Sequence, residues 1–393
     1  MTKKLYFLIL IFFIPFCQLF ASHAVGADLT YDCLGGNTYR FRLKFYRDCA
    51  GIAAPTSVSI NIASTSCSHS TSITMPLISS QEVSPLCAAQ LPNSTCNGGS
   101  LPGIQQYIYE ATYTLPANCP DWRFSYTLCC RNVAVTNSNN ASSYNLYVEA
   151  TLNNQVVTCN SSPDFTVNPV PYICNGQPFS YNHGVVDVDG DSLSYTLIQP
   201  KHTATSNVPY SGSFTSTYPI STSPPNNFVF NPSTGQMTFT PGSTQIGLVA
   251  IRVDEFRNGV KIGSTIRDMQ VIVINCGTNS TPSMANPINI TGATYNTVTS
   301  TFKACPGTPM SFQFVSSDLD ASQILTLTSN VGTSIPAAVV TSTGTNPKTT
   351  TFTWTPTMAN AGFYSISFRA VDNACPLTAS VTKGSHLNVT NLK

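Results

Sequence analysis

The sequence is short of charge. Lys, Arg, Asp and Glu make up 9% of its 393 residues, against ~25% in ordinary soluble domains. With 18 basic and 17 acidic residues the chain is close to neutral, which excludes a basic surface of the kind that holds nucleic acid or an anionic membrane. Its five histidines (His23, His69, His183, His202 and His386) are scattered, and there is no Cys-x-x-Cys pair, so zinc-site spacing is absent. H-E-x-x-H, a G-x-S-x-G elbow and a glycine-rich phosphate loop are also missing, and no enzyme class is indicated. Beyond the N-terminus no apolar run is long enough to span a bilayer, and no long stretch carries an amphipathic helical pattern.

Ser, Thr, Asn and Pro stand where the charge would be. With 42% hydrophobic residues, this composition suits β-strands punctuated by turns. At the N-terminus Lys3 and Lys4 precede an apolar run from Leu5 to Phe16, and a small residue, Ala21, follows. That pattern predicts a secretory signal peptide over 1–21, and hence a secreted protein, extracellular or at the outer surface of a Gram-negative cell. Cysteine use agrees with export. Of 14 cysteines, Cys17 falls in the signal and an odd number remains, so at least one is expected to be free or bonded to another chain. Disulfides in an oxidising compartment each contribute roughly 2–4 kcal/mol.

Period-two patterns recur. Tyr39, Phe41, Leu43 and Phe45 alternate with Arg40, Arg42 and Lys44, one apolar and one cationic face. Tyr107, Tyr109, Ala111, Tyr113 and Leu115 form a second such face, and Trp122, Phe124, Tyr126, Leu128 and Cys130 a third. Continued alternation would turn Cys129 and Cys130 to opposite sides, so the two are expected to find different partners.

After a Pro- and Asn-rich stretch from Ser161 to Pro178, two copies of one plan follow. The first runs Asp187-Val188-Asp189, Thr238-Phe239-Thr240-Pro241, Gly247 and Ile251-Arg252-Val253-Asp254. The second runs Asp318-Leu319-Asp320, Thr353-Trp354-Thr355-Pro356, Gly362 and Phe368-Arg369-Ala370-Val371-Asp372. Short strands with regular turn signals predict an all-β protein of tandem immunoglobulin- or cadherin-like sandwiches, stapled by disulfides. Three units are expected: a cysteine-rich one over 22–165, then 166–277 and 278–393, arranged as a rod. Cys174 is expected to bond Cys276 and Cys305 to bond Cys375, each pair within its own unit. Cys33, Cys49, Cys129 and Cys130 are assigned to disulfides of the first unit, which is also expected to hold the unpaired cysteine.

Asp187, Asp189 and Asp191 form a D-x-D-G-D run. Calcium takes six to eight oxygen ligands, and alternate carboxylates on a tight loop supply several. The EF-hand template fails, because Ser192 and Ile198 stand where its Gly and Glu belong. A domain-end site completed by Asp254 and Glu255 is the expectation, with Asp318, Asp320 and Asp372 a weaker echo that lacks a third loop carboxylate.

Particular stretches resemble a known family. Ser22-His23-Ala24-Val25-Gly26, Leu29-Thr30-Tyr31, Tyr46-Arg47-Asp48-Cys49, Cys129-Cys130-Arg131-Asn132, Asn160-Ser161-Ser162-Pro163, Pro171-Tyr172-Ile173-Cys174 and Asp187-Val188-Asp189-Gly190-Asp191-Ser192-Leu193 follow in order. Together they resemble large surface proteins of Bacteroidota labelled gliding-motility-associated, with PKD-type or cadherin-like repeats and a C-terminal type IX secretion sorting domain. The resemblance covers roughly residues 22–276 and departs at the end, where Lys393 leaves no room for such a domain. It implies an outer-surface location and a part in adhesion, motility or an extracellular assembly, with no catalytic residue. Asp191-Ser192-Leu193 also fits the D-S/T-apolar pattern of O-glycosylation in Bacteroidota, at Ser192. Two functions compete: a structural subunit of a surface fibre, layer or appendage that joins copies of itself or other surface proteins, and an adhesin gripping a polysaccharide or protein through its aromatic first domain. Neither inserts in a membrane.

Overall fold

A computed structural model describes residues 24–169 and 172–390. Residues 1–21, over which a signal peptide is expected, and His23 lie outside them. Strands dominate, and the helical segments are single turns.

The first unit contributes β1 (Ala24–Gly35), β2 (Thr38–Asp48), β3 (Ser57–Ser64), β4 (His69–Glu82), β5 (Ile104–Thr114), β6 (Trp122–Leu128) and β7 (Leu146–Leu152). The alternation in β2 turns Tyr39, Phe41 and Leu43 fully inward, against Tyr31, Trp122 and Phe124. Tyr107, Tyr109, Phe124 and Tyr126 are buried too. The aromatic faces are therefore core, which their period-two spacing favours, and do not form an exposed binding platform.

The second unit holds β8 (Asp164–Phe165), β9 (Tyr172–Cys174), β10 (Phe179–Tyr181), β11 (Val185–Val186), β12 (Ser192–Ile198), β13 (Phe228–Asn231), β14 (Gln236–Phe239), β15 (Gln245–Arg257) and β16 (Val260–Ile274). One face is β9-β16-β15-β12, with β9 parallel to β16, and the other is β10-β14-β13. Phe179, Tyr195, Met237, Phe239 and Val253 fill the space between.

The third unit repeats this plan. Its strands are β17 (Ser283–Met284), β18 (Ile288–Thr291), β19 (Ala293–Asn296), β20 (Thr301–Ala304), β21 (Met310–Ser317), β22 (Thr326–Ser329), β23 (Val339–Thr343), β24 (Lys348–Trp354), β25 (Gly362–Val371) and β26 (Ser380–Val389). The order β20-β26-β25-β22, with β20 parallel to β26, matches β9-β16-β15-β12, and β21-β24-β23 matches β10-β14-β13. The protein is thus all-β, built of tandem immunoglobulin-like sandwiches.

The boundary expected after residue 165 divides neither the hydrophobic clusters, since Phe165 packs in the second and Ile262 in the first, nor the sheets. One edge of β16 pairs with β15 along most of its length. Its other edge meets β7 at Gly263–Thr265 and β1 at Arg267–Met269, then β9 at Ile272–Ile274. The early part of β16 so closes the sheet of the first unit, running from β1 through β2, β5, β4, β3, β6 and β7 and back to β1.

The three units do not make a rod. The third lies against both others. Cys87 of the first unit is bonded to Cys375 of the third, with Cys87 N donating to Pro376 O (3.0 Å) and Thr378 N to Pro85 O (2.9 Å) beside it. Gln236 of the second unit donates to Thr382 O and accepts from Gly384 N. The pairing Cys305–Cys375 is therefore incorrect: Cys375 lies beside Cys87 of the first unit and bonds it, and Cys305, half-buried, has no bond. The unpaired cysteine is in the third unit, not the first. Cys33 bonds Cys159, Cys49 bonds Cys96, Cys67 bonds Cys119, and Cys174 bonds Cys276. Cys129 and Cys130 bond each other, contrary to expectation. Strand alternation ends with β6 at Leu128, and Cys130 has a left-handed backbone with φ 83°, so it never joins the inward face.

Candidate metal centre

The loop after β11 is folded by its own first carboxylate. Asp187 Oδ1 accepts from the backbone N–H of Asp189 (3.0 Å) and of Asp191 (2.9 Å), the side-chain-to-backbone turn that Asp favours. Gly190 takes a left-handed φ of 78° inside it. This winding brings Asp187 and Asp191 to the end of β15, where Glu255 points inward. One carboxylate oxygen from each of Asp187, Asp191 and Glu255 lies within 4.8 Å of the other two.

The cluster sits at the junction between the first two units. Asn160, on the chain that joins them, donates to Glu255 Oε2 at 2.8 Å. Ser161 N donates to Asp189 Oδ2 at 2.6 Å. Arg257 holds both oxygens of Asp191 (2.8 and 2.6 Å) and donates to Asn160 Oδ1 at 2.7 Å. A Cβ at Gly263 would come within 2.9 Å of Glu255 Oε2 and 3.0 Å of the Tyr31 hydroxyl, so bare backbone faces Glu255 from β16.

Two acceptors in this enclosure have no donor: Asp187 Oδ2 and Glu255 Oε1. Glu255 is fully buried. Burial pushes the Asp187 carboxyl up to about 6, and burial together with the charge of Asp187 pushes Glu255 well above the usual carboxylate range. Four carboxylates face one guanidinium here, and desolvated anions persist only when paired. An all-oxygen donor set on an irregular loop suits calcium, a hard cation tolerant of geometry. The residues fit that ion, whose charge would offset the buried carboxylates.

Asp254 is not part of the site. Next to Glu255 on β15, it points to the opposite face, as strand geometry demands, and is held by Lys261 (2.5 Å) and Arg252 (2.9 Å). Asp189 lies at the rim, 3.7 Å from Arg257. The Ser192 hydroxyl donates to Phe256 O at 3.2 Å, engaged with backbone. Sequence reasoning missed Asn160 and Arg257. A signal for Asn160 exists, because Asn160-Ser161-Ser162-Pro163 recurs as Asn279-Ser280-Thr281-Pro282 before the next unit.

No protein-family model matches the chain, and no curated protein matches it. Solved structures do. The titin domains z1z2 in complex with telethonin are similar at 12% identity and a TM-score of 0.18, over 60% of this chain and 99% of that one. Tandem Ig repeats of Dlar are similar at 12% identity and a TM-score of 0.21, over 58% of this chain and 98% of theirs. An endo-fucoidan hydrolase of glycoside hydrolase family 107 is similar at 13% identity and a TM-score of 0.19, over 81% of this chain and 39% of that one. At these scores the likeness carries no function across. The six disulfides fit an oxidising, extracellular setting, and among the described residues no helix is long and apolar enough to cross a membrane.

Proposed function

We propose that the protein is a non-enzymatic structural subunit of an extracellular surface fibre, layer or appendage. Its partners are copies of itself or other surface proteins, and calcium is held at the first junction. The observation that carries this reading is the cross-bracing of the three units. A strand of the second completes the sheet of the first, and a disulfide ties the first to the third across 288 residues of sequence. A body braced in this way resists relative motion of its parts, as a load-bearing subunit must. A flexible stalk presenting a binding tip has no use for it. Bound calcium would add to the bracing, since its ligands come from the loop at Asp187–Asp191 and from β15, beside the Asn160 linker.

Electron microscopy of the mature protein taken from native cells without reducing agent tests the reading. Regular filaments or sheets are expected. Isolated single particles at every concentration and calcium level would contradict it.

A further inference from the structure

Arg369 is a cation without a counter-ion. It stands on β25, and its counterpart in the second unit is Arg252 on β15, since Ile251-Arg252-Val253 and Phe368-Arg369-Ala370 occupy the same place in the repeat. Each faces a threonine across its ladder, Thr196 on β12 and Thr328 on β22. Arg252 is paired with Asp254, two residues further along the same face, at 2.9 Å. In the third unit Val371 stands there. The carboxylate is gone and the guanidinium has stayed.

The other units supply no replacement. Ser367, Arg369 and Val371 lie on the outward face of their sheet, and Arg369 is half-buried there. Among the described residues its one hydrogen bond goes to Ser380 Oγ, at 3.3 Å, and no carboxylate acts on it. Burial pulls its pKa down, the direction expected of a cation drawn from water without a partner. Such a charge is tolerated where an opposite charge meets it.

Two cavities meet at the guanidinium. One, of about 230 Å³, lies between Thr166–Asn168 of the second unit and Thr328, Ser329, Thr333 and Ser367 of the third. The other, of about 320 Å³, runs from Asn168 past Arg369 to Ser84, Thr378 and Ser380, at the seam with the first unit. No acidic residue lines either. Ser367 is only 3% exposed, yet among the described residues its hydroxyl has no hydrogen-bond partner, and it borders the first cavity. A buried hydroxyl left unmatched is costly, and an acceptor oxygen in the cavity would satisfy it.

We propose that this seam is an oxyanion site, in which the Arg369 fork binds a carboxylate or sulfate group, free or carried by an acidic sugar, and the Ser367 hydroxyl is a second donor. A guanidinium presents parallel N–H donors that match such groups. The hydroxyl-lined walls on either side favour a sugar over an apolar carrier. The site stands apart from the calcium reading and from assembly.

Calorimetric titration of the mature protein in chloride buffer with sodium sulfate, acetate and glucuronate, and with glucose as the uncharged control, tests the proposal. Saturable binding of sulfate or glucuronate is expected, weakened on the order of tenfold or more in Arg369→Gln and less in Ser367→Ala. Arg369→Lys keeps the charge and loses the fork, so it should also bind more weakly, and it carries the test where Arg369→Gln does not fold. Sulfate and glucuronate bound alike would identify the anion alone as the ligand. Glucuronate bound on the order of tenfold tighter than acetate and sulfate would identify the acidic sugar. Both results uphold the site. No binding of any anion, binding unchanged in the Arg369 variants, or glucose held as tightly as glucuronate overturns it.

Discussion

Arg267 and Asp28 are each fully enclosed, 2.7 Å apart, and Arg131 and Asp268 are nearly so, also at 2.7 Å. Both pairs cross from the first unit to β16, and Arg267 further lies over the Phe165 ring at 4.0 Å. Charges so placed are costly alone and tolerated in company, which makes them joints more than glue. Beside Arg267, His183 is fully buried between Phe165 and Tyr181, with neither ring nitrogen hydrogen-bonded. Burial, helped by Arg267, holds its pKa well below the usual value. The folded state therefore binds fewer protons than the unfolded state below about pH 6.5, and stability must fall as the pH drops from there toward the folded pKa. His386 is depressed in the same direction by burial. His183→Phe should remove the His183 share of that slope, up to about 1.4 kcal/mol per pH unit, in denaturant melts between pH 7 and the onset of acid unfolding. An unchanged slope would show that His183 does not titrate as described. At this scale the inward residues of β2 were readable from alternation alone. Alternation also separates Asp254 from Glu255, a consequence that the acidic run hides when it is read as composition. The ion pairs were not readable, because their partners are 137 and 239 residues apart in sequence.

β16 is the element on which the architecture turns. Its residues from Ile262 to Val271 are all buried, because one unit covers each side. A one-sided strand would have shown alternating exposure. The doubled plan of the second and third units was legible, since Thr-x-Thr-Pro turns and acidic loops recur at matching places, and each turns out to mark the same strand. The sharing of β16 was not. Edge pairing is made by backbone, and backbone leaves no composition behind. Gly263 offers a handle on this element. It pairs with both β7 and β15, and a Cβ there would meet Thr151 O and Glu255 Oε2 at 2.9 Å. Gly263→Val should cost about 1–3 kcal/mol from overpacking, read as a lowered denaturant midpoint with an unchanged slope. A loss below about 0.5 kcal/mol, the range of an ordinary surface change, would mean that β16 does not close the first sheet.

For the whole molecule, cysteine partners decide between a string of units and a braced body. The Cys174–Cys276 staple lies inside one repeat and follows from the repeat plan. Cys87–Cys375 does not, because nothing local records that the third unit folds back onto the first. With Cys17 in the expected signal, an odd count called for at least one cysteine free or bonded to another chain, but only the folded chain singles out Cys305. The first two units are joined by a shared strand and two buried ion pairs and the third is tied to the first by a long-range disulfide, and the proposed role as an assembly subunit rests on that bracing. Peptide mapping of the native, unreduced protein with its thiols blocked tests this most directly. The account predicts a peptide pair linking Cys87 to Cys375 and a blocked, unlinked Cys305. A Cys305–Cys375 link with Cys87 free or bonded elsewhere would contradict it.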